Sequence, residues 1–168
     1  MNTTIRKFGS YAALTAALLF TLALVLGLQL DFATQELLGY ITIFASLIFV
    51  FFGIKHYRDK ENNGSVRFGK ALLIGILISL FASLAFGIID AIYIKYINPD
   101  FAEDYLAYTL ESMQNTMGPE EFQAQKTIME QQMAAYSSPF FAGFIMFATV
   151  FVIGFVVSLL SALILQRK

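Results

Sequence analysis

Asp90 is the ionisable residue best placed for chemistry, because it lies inside a long apolar stretch of the sequence. Carboxylates within membrane spans are rare and often mark proton or ion pathways. Measured along a helix from Ala71, Asp90 lies about 28 Å into this stretch, near its far boundary rather than its centre. This depth favours an interfacial carboxylate over a proton relay. Lys95 falls on a different helical face, so the two side chains do not form an obvious intrahelical ion pair.

Lys70 and Arg67 are further candidates for function, because both flank the start of the same apolar stretch. Cations at this position are suitably placed to contact anionic lipid headgroups. The general retention of basic residues on one side of a membrane explains them equally well. Both interpretations therefore stay open.

The sequence contains no recognisable catalytic or metal-binding constellation. His56 is the only histidine and lies among basic and aromatic neighbours, and the chain has no cysteine. Zinc sites need several His, Cys or carboxylate ligands at suitable spacing, and no Cys, second His or suitably spaced carboxylates complete such a set around His56. Nucleophile-elbow, phosphate-loop and zinc-protease motifs are also absent. We therefore expect no metal, no cofactor and no enzymatic activity.

The composition indicates an integral membrane protein. Of the 168 residues, 58% are hydrophobic and 14% are charged, and the mean hydropathy is +0.68. Such an excess of apolar residues lies outside the range of soluble domains and must face lipid. The formal net charge is only −1, so we expect the lipid bilayer, and no nucleic acid, as a partner.

Apolar runs predict four transmembrane helices, at about 9–30, 37–54, 70–97 and 140–165, within one membrane domain over 1–168. The first run follows basic residues, as in a signal peptide, but it is too long and lacks a cleavage site, so we expect it to remain uncleaved. The predicted fold class is all-α: an integral membrane four-helix bundle with an extracytoplasmic amphipathic helical hairpin between helices three and four.

Charged residues next to the spans predict the orientation of the chain, since Lys and Arg are retained on the cytoplasmic side. Most basic residues fall on one side of the four-span arrangement: Arg6, Lys7, Lys55, Arg58, Lys60, Arg67, Lys70, Arg167 and Lys168. Nine carboxylates fall on the opposite, outer side: Asp31, Glu36, Asp100, Glu103, Asp104, Glu111, Glu120, Glu121 and Glu130. Both sets predict cytoplasmic termini, a cytoplasmic loop over 55–69 and an extracytoplasmic segment over 98–138.

Small residues predict where the helices pack, because close backbone approach drives helix association in lipid. Helix three carries such residues at intervals of four, namely Gly75, Ser79, Ser83 and Gly87. Helix four carries Gly154, Ser158 and Ala162 at the same interval. These stripes predict packing seams. An alternative is a hydroxyl-lined solute path through Ser79 and Ser83.

The external segment is predicted to form two helices, since Pro99, Pro119 and Pro139 each follow a plausible helix cap. The expected helices cover about 99–117 and 119–136. Their apolar faces contain Leu106, Leu110, Met113, Met117, Met129 and Met133. These faces either pack on each other and on the membrane helices, forming a cap, or form a docking surface for another envelope protein.

Several motifs resemble one family. They are Gly53-Ile54-Lys55 with Tyr57-Arg58, Asn63-Gly64-Ser65, Phe68-Gly69-Lys70-Ala71-Leu72, Asn98-Pro99-Asp100-Phe101 and the run from Ser158 to Ile164. Together they resemble the domain-of-unknown-function 4199 proteins, small multi-span proteins found mainly in Bacteroidetes-type bacteria. The resemblance implies a bacterial inner (cytoplasmic) membrane location and carries no activity, ligand or catalytic residue.

The sequence leaves two functional hypotheses of different classes. The first is a non-enzymatic scaffold or regulatory subunit of an envelope complex, with another envelope protein or a second copy of the chain as partner. The second is a small transporter or channel subunit that uses Asp90 and the helix-three serines. An enzyme acting on lipid through an outer carboxylate ranks third.

Overall fold

The computed structural model describes residues 1–167, without the side chains of residues 132, 134 and 135. Lys168, which enters the orientation prediction, lies outside the described residues. The chain is all-helical, and its helices are α1 (Asn2–Gly27), α2 (Phe32–His56), α3 (Phe68–Tyr96), α4 (Phe101–Gln114), α5 (Pro119–Tyr136) and α6 (Pro139–Leu165).

Four helices, α1, α2, α3 and α6, are long and apolar enough to cross a membrane. A helix rises about 1.5 Å per residue, so roughly 20 apolar residues cover the hydrocarbon core. The prediction of an all-helical chain with four candidate membrane-spanning helices is therefore confirmed. These helices indicate a multi-pass membrane protein.

Helix α2 begins at Phe32 and not at residue 37, because Asp31 caps it. Asp31 Oδ1 accepts a hydrogen bond from the Thr34 backbone N–H at 2.9 Å, and Oδ2 accepts one from the Thr34 hydroxyl at 2.7 Å. Such caps satisfy amide groups that have no intrahelical partner. Helix α1 also begins earlier than predicted, at Asn2, since its basic flank is itself helical.

The predicted loop over 55–69 is largely helical in its first half. Helix α2 runs to His56 and continues as a π-helical turn over Tyr57–Glu61. Asn63 and Gly64 then adopt left-handed backbone angles, with φ of 52° and 80°, and reverse the chain. The Gly64 N–H donates to the Arg58 carbonyl at 2.8 Å, which closes the preceding turn.

Two of the three prolines begin helices, and the expectation for the third is wrong. Pro119 begins α5 and Pro139 begins α6, but α4 begins only at Phe101. Pro99 lies in a turn instead, because the Asn98 N–H still bonds back to Tyr93 of α3 while the Asn98 carbonyl accepts from Phe101 N–H. The helical pattern of hydrogen bonds can start only after this turn closes.

Helix α3 occupies the central position among the long helices. Its most extensive contact is with α6, and it also packs against α1 and α2. Fully buried apolar side chains from α2, α3 and α6, including Leu47, Ile78, Phe86 and Val150, fill the space between them. The α3–α6 pair and the end of α3 therefore position the groups considered below.

Polar contacts join both chain termini to the loop between α2 and α3. The Met1 amino group and the Thr4 hydroxyl both contact the Glu61 carboxylate. Val66 and Arg167 exchange two backbone hydrogen bonds of 2.9 Å each. We call this region, residues 1–7, 57–70 and 165–167, the basic end.

Candidate functional site

The contact between α3 and α6 contains the small residues that the sequence singled out. A Cβ atom added to Gly75 would lie 2.7 Å from Ser158 Cβ, and one added to Gly154 would lie 2.6 Å from Ser79 Cβ. Both distances are far below ordinary van der Waals contact. Glycine at these two positions therefore allows the helices to approach this closely.

A second close contact lies farther along the same pair of helices. A Cβ on Gly87 would lie 2.6 Å from the carbonyl oxygen of Gly143. Sequence reasoning missed Gly143, although it precedes Gly154 by three helical turns and so lies on the same face of α6. We define the seam as Gly75, Ser79, Gly87, Gly143, Gly154 and Ser158.

The serines of the seam use their hydroxyl groups between the helices. Ser79 Oγ lies 3.0 Å from the Gly75 carbonyl, 3.2 Å from the Gly154 carbonyl and 3.2 Å from Ser158 Oγ. Ser83 Oγ donates to the Ser79 carbonyl at 2.9 Å, and Ala162 is buried farther along α6. Ser79, Ser83 and Ser158 are fully buried, so these hydroxyls line a helix contact and not an open path.

Asp90 lines a cavity of about 450 Å³ at the end of α3 that is remote from the basic end. We call it the Asp90 cavity. Each of the six helices contributes to its wall: for example Phe20 from α1, Tyr93 from α3, Tyr105 from α4 and Met133 from α5. A volume of this size can hold a small organic molecule.

The Asp90 carboxylate is half-buried and has no hydrogen-bond or ion-pair partner in the described part of the chain. A buried charge without a partner is costly, so this carboxylate is available for a ligand. Lys95 forms no ion pair with it in the described part of the chain, and the Lys95 ammonium lies 5.0 Å from the ring centroid of its neighbour Tyr96.

Helix α2 supplies part of the wall of the cavity. Gln35, Glu36, Gly39 and Tyr40 line this wall. Gly39 differs from the glycines of the seam, because a Cβ added there would meet no atom within 4 Å. No described atom therefore fills the space next to the backbone of α2 at this position.

Aromatic rings hold α4 over the ends of α2 and α3. The Phe32 ring centroid lies 6.0 Å from that of Phe101, 5.6 Å from that of Tyr105 and 5.1 Å from that of Tyr108. Tyr93 reaches the Phe101 ring at 6.2 Å. Such ring pairs add to the free energy of apolar burial. Sequence reasoning missed this cluster, although Phe101, Tyr105 and Tyr108 share one helical face.

The residues proposed as a partner surface are partly covered by the rest of the protein. All six are half-buried: Leu106, Leu110, Met113, Met117, Met129 and Met133. Met133 lines the Asp90 cavity. Helix α4 contacts α5, and α5 contacts α6. These apolar faces are thus turned in part toward the protein.

Lys70 and Arg67 lie at the opposite end of α3 from Asp90, about 30 Å away along the helix. The Lys70 ammonium lies 5.2 Å from the ring centroid of Tyr57, and the exposed Arg67 precedes the first turn of α3. The three candidate residues therefore do not form one site. Asp90 is the member that lines a cavity.

Outside the spans, Asp31 has a shifted pKa and lies next to the cavity wall. Hydrogen bonds from the hydroxyl and the backbone N–H of Thr34 hold the Asp31 pKa below its ordinary value of 3.8. Among residues 1–167, no group of three or more His, Cys, Asp or Glu side chains is arranged to hold a metal ion.

Comparisons with known proteins give one match. A family model described as "Protein of unknown function (DUF4199)" matches residues 7–167, which is nearly the whole chain. This match confirms the resemblance predicted from the sequence motifs. No curated protein and no solved structure matches the chain.

Proposed function

Because the chain belongs to the DUF4199 family of proteins of unknown function, we propose its function from its own geometry. It is a non-enzymatic protein of the bacterial inner membrane that acts as a scaffold or regulatory subunit of an envelope complex. The observation that carries this proposal is the closed seam between α3 and α6.

The seam supports a structural role for the centre of the membrane domain. Its glycines leave no space between the helices, and the Ser79 hydroxyl is hydrogen-bonded between the two helices. Helix pairs in membranes are held together by such close approach and interhelical hydrogen bonds. A pair packed in this way forms a firm support for segments attached to its ends, and the protein is a four-helix bundle around it.

The partner surface of this proposal lies on α4 and α5, which form an extracytoplasmic hairpin over the bundle. Among the described side chains of these helices, the exposed charged ones are all acidic: Glu103, Asp104, Glu111, Glu120, Glu121 and Glu130. Lys126 is the neighbouring cation and lies 3.8 Å from Glu130. The half-buried apolar residues of both helices add the adaptable part of the surface. A protein with a basic surface is the complementary partner.

Gentle purification from the native membrane after crosslinking tests this proposal. We expect a protein partner to copurify with the wild type and to be lost from a Glu120→Lys/Glu121→Lys variant, since reversed charge repels a basic surface. The control is Lys60→Glu, a charge reversal at an exposed residue of the basic end, which should retain the partner. A chain that purifies alone after crosslinking would contradict the scaffold proposal.

Both termini are proposed to face the cytoplasm, as the distribution of charge predicts. Support comes from the basic end, because Met1 contacts Glu61 and Arg167 pairs with Val66 beside the basic loop. The chain has no cysteine, so single cysteines at Asn63 and Ser112 can be labelled separately. On intact spheroplasts, an impermeant maleimide should label the position in α4. Labelling of the cysteine at position 63 and not of that at position 112 would show that the orientation is the reverse of the one proposed.

A small transporter or channel subunit is the second candidate, and the Asp90 cavity favours it. The cavity could hold a solute at one end of the membrane domain, while the serines of α3 are engaged in the seam. Flux of an ion or solute through reconstituted liposomes, lost in Asp90→Asn, would support transport. Liposomes that contain the protein and show no flux would exclude transport of the solutes tested.

A further inference from the structure

The Asp90 cavity combines a negative charge with aromatic walls. Asp90 and Glu36 are its two carboxylates, and no Lys, Arg or His is among its described lining residues. Asp90 lacks a partner within the described chain, and Glu36 is exposed at the rim. An unpaired acidic group in a cavity without cations attracts a positively charged ligand.

The remaining walls suit a cation that carries apolar groups. Phe20, Tyr93, Phe101 and Tyr105 contribute rings, and Ile43, Ile94 and Met146 contribute aliphatic or thioether surface. Aromatic faces attract organic cations, and the attraction increases when the cation is removed from water. A metal ion would instead require several oxygen ligands, and the described residues include no group of three or more His, Cys, Asp or Glu side chains arranged to hold one.

The size of the cavity restricts the ligand further. About 450 Å³ falls within the range of sites for small organic molecules. We propose that the Asp90 cavity binds a small lipophilic organic cation, with its positive charge beside Asp90 and its apolar groups against the aromatic wall. This site goes beyond the scaffold role and does not depend on the partner of α4 and α5.

Gly39 gives the inference a steric test that is independent of charge. It lines the cavity, and a Cβ at this position would have open space around it. A leucine side chain there adds bulk at the cavity wall without a clash at its Cβ. Gly69 is the matched control, because it is also helical and open but lies at the other end of the protein.

The test uses the purified full chain in maltoside detergent and a pair of ions that differ in charge but little in size. Tetraphenylphosphonium is the cationic probe and tetraphenylborate is the anionic one. Titration calorimetry and equilibrium dialysis measure the binding of each. We expect saturable binding of the cation at one site per chain and only micelle partitioning of the anion.

Two variants should each lower the affinity for tetraphenylphosphonium by about tenfold or more. Asp90→Asn removes the charge, and Gly39→Leu removes the space. The exposed Glu36 at the rim should matter less, so Glu36→Gln should change the affinity by about threefold at most. Asp104→Asn and Gly69→Leu change an exposed carboxylate and an open glycine outside the cavity and should bind as the wild type does.

Three results would overturn the inference. They are equal binding of the two ions, no saturable binding of the cation by the wild type, and unchanged affinity in either Asp90→Asn or Gly39→Leu. Thermal unfolding of each variant without ligand shows whether it is folded, and the two changes act through different physical causes. Loss of binding in one variant through misfolding therefore leaves the other to decide. Absence of a protein partner in the crosslinking experiment has no bearing on this outcome.

Discussion

Helix α3 contributes residues to both the seam and the Asp90 cavity, and the two regions differ in how tightly they are packed. At the seam, a Cβ on Gly87 or Gly154 would approach atoms of the neighbouring helix to 2.6 Å. At the cavity, a Cβ on Gly39 would meet nothing within 4 Å. The same residue type therefore serves close packing in one region and leaves open volume in the other.

The two regions also differ in how their polar groups are satisfied. The buried hydroxyls of Ser79 and Ser158 are hydrogen-bonded to each other and to backbone carbonyls. Asp90 has no such partner in the described part of the chain. Satisfied groups fix one arrangement of the helices, whereas an unsatisfied group next to a cavity is suited to a ligand. The seam is thus the structural region and the cavity is the candidate binding region.

The largest effect is expected for Gly87→Leu, which tests whether the seam is closed. The new side chain would collide with the carbonyl oxygen of Gly143, and a backbone atom cannot move aside as a flexible side chain can. We expect the variant to lose about 3 kcal/mol of stability. Thermal unfolding in detergent measures the loss. Gly69→Leu is the control, and equal stability of the two variants would contradict the close approach.

Gly154→Ala should have the next largest effect, because the nearest atoms to its new Cβ belong to Ser79. Overpacking of this kind costs about 2 kcal/mol. The double variant Gly154→Ala/Ser79→Gly removes those atoms and should recover part of the loss. A double-mutant cycle by thermal unfolding measures the coupling between the two positions. Additive losses would show that the two residues are not in contact.

Sequence patterns predicted the four spans and most residues of the seam, because both follow from local rules. Long apolar runs indicate spans, and small residues at intervals of four share a helical face. The structure adds that Gly75 lies opposite Ser158, and Ser79 opposite Gly154. Which residues of two helices meet depends on their relative depth, and neither helix alone determines it.

The Asp90 cavity could not be predicted in the same way. Its wall combines residues as distant in sequence as Phe20 and Thr149, and its volume depends on how α4 and α5 lie across the membrane helices. The sequence singles out Asp90 only because a carboxylate is unusual in an apolar run. The start of α4 was misplaced at Pro99, since the local proline rule competed with a turn that still bonds back to α3.

Gly39→Ala should have the opposite sign from the seam variants. Glycine in the interior of a helix lowers stability by about 1 kcal/mol relative to alanine, and nothing at Gly39 obstructs the added methyl group. We expect a gain of up to about 1 kcal/mol, seen as a higher unfolding temperature in detergent. Destabilisation would show that the wall of the cavity is closed, and the contrast with the seam would then fail.

Ser79→Ala should cost less than any glycine variant of the seam. Interhelical hydrogen bonds in membranes average about 0.6 kcal/mol, because the unfolded helices also find partners in the bilayer. The loss of the Ser79 contacts to Gly154 and Ser158 should lower stability by about this amount. Thermal unfolding beside Gly154→Ala provides the comparison. A loss as large as that of Gly154→Ala would mean that hydrogen bonds, and not close backbone approach, dominate the seam.

The smallest effect concerns Asp31, which caps the helix that supplies one wall of the cavity. Its pKa is lowered in the folded state, chiefly by the hydrogen bond from the Thr34 hydroxyl, so the folded protein binds the proton less readily than the unfolded chain. The ionised cap therefore stabilises the protein above pH 3.8, and this contribution is lost as the pH falls through the folded-state pKa. Unfolding temperatures of Asp31→Ala and the wild type should differ slightly at pH 7 and converge in acid.

Asp31→Asn can still cap the helix but does not titrate, so any difference from Asp31→Ala should be independent of pH through the acid range. A gap between wild type and Asp31→Ala that widens in acid would show that the charge of Asp31 opposes folding, and would contradict the stabilising cap.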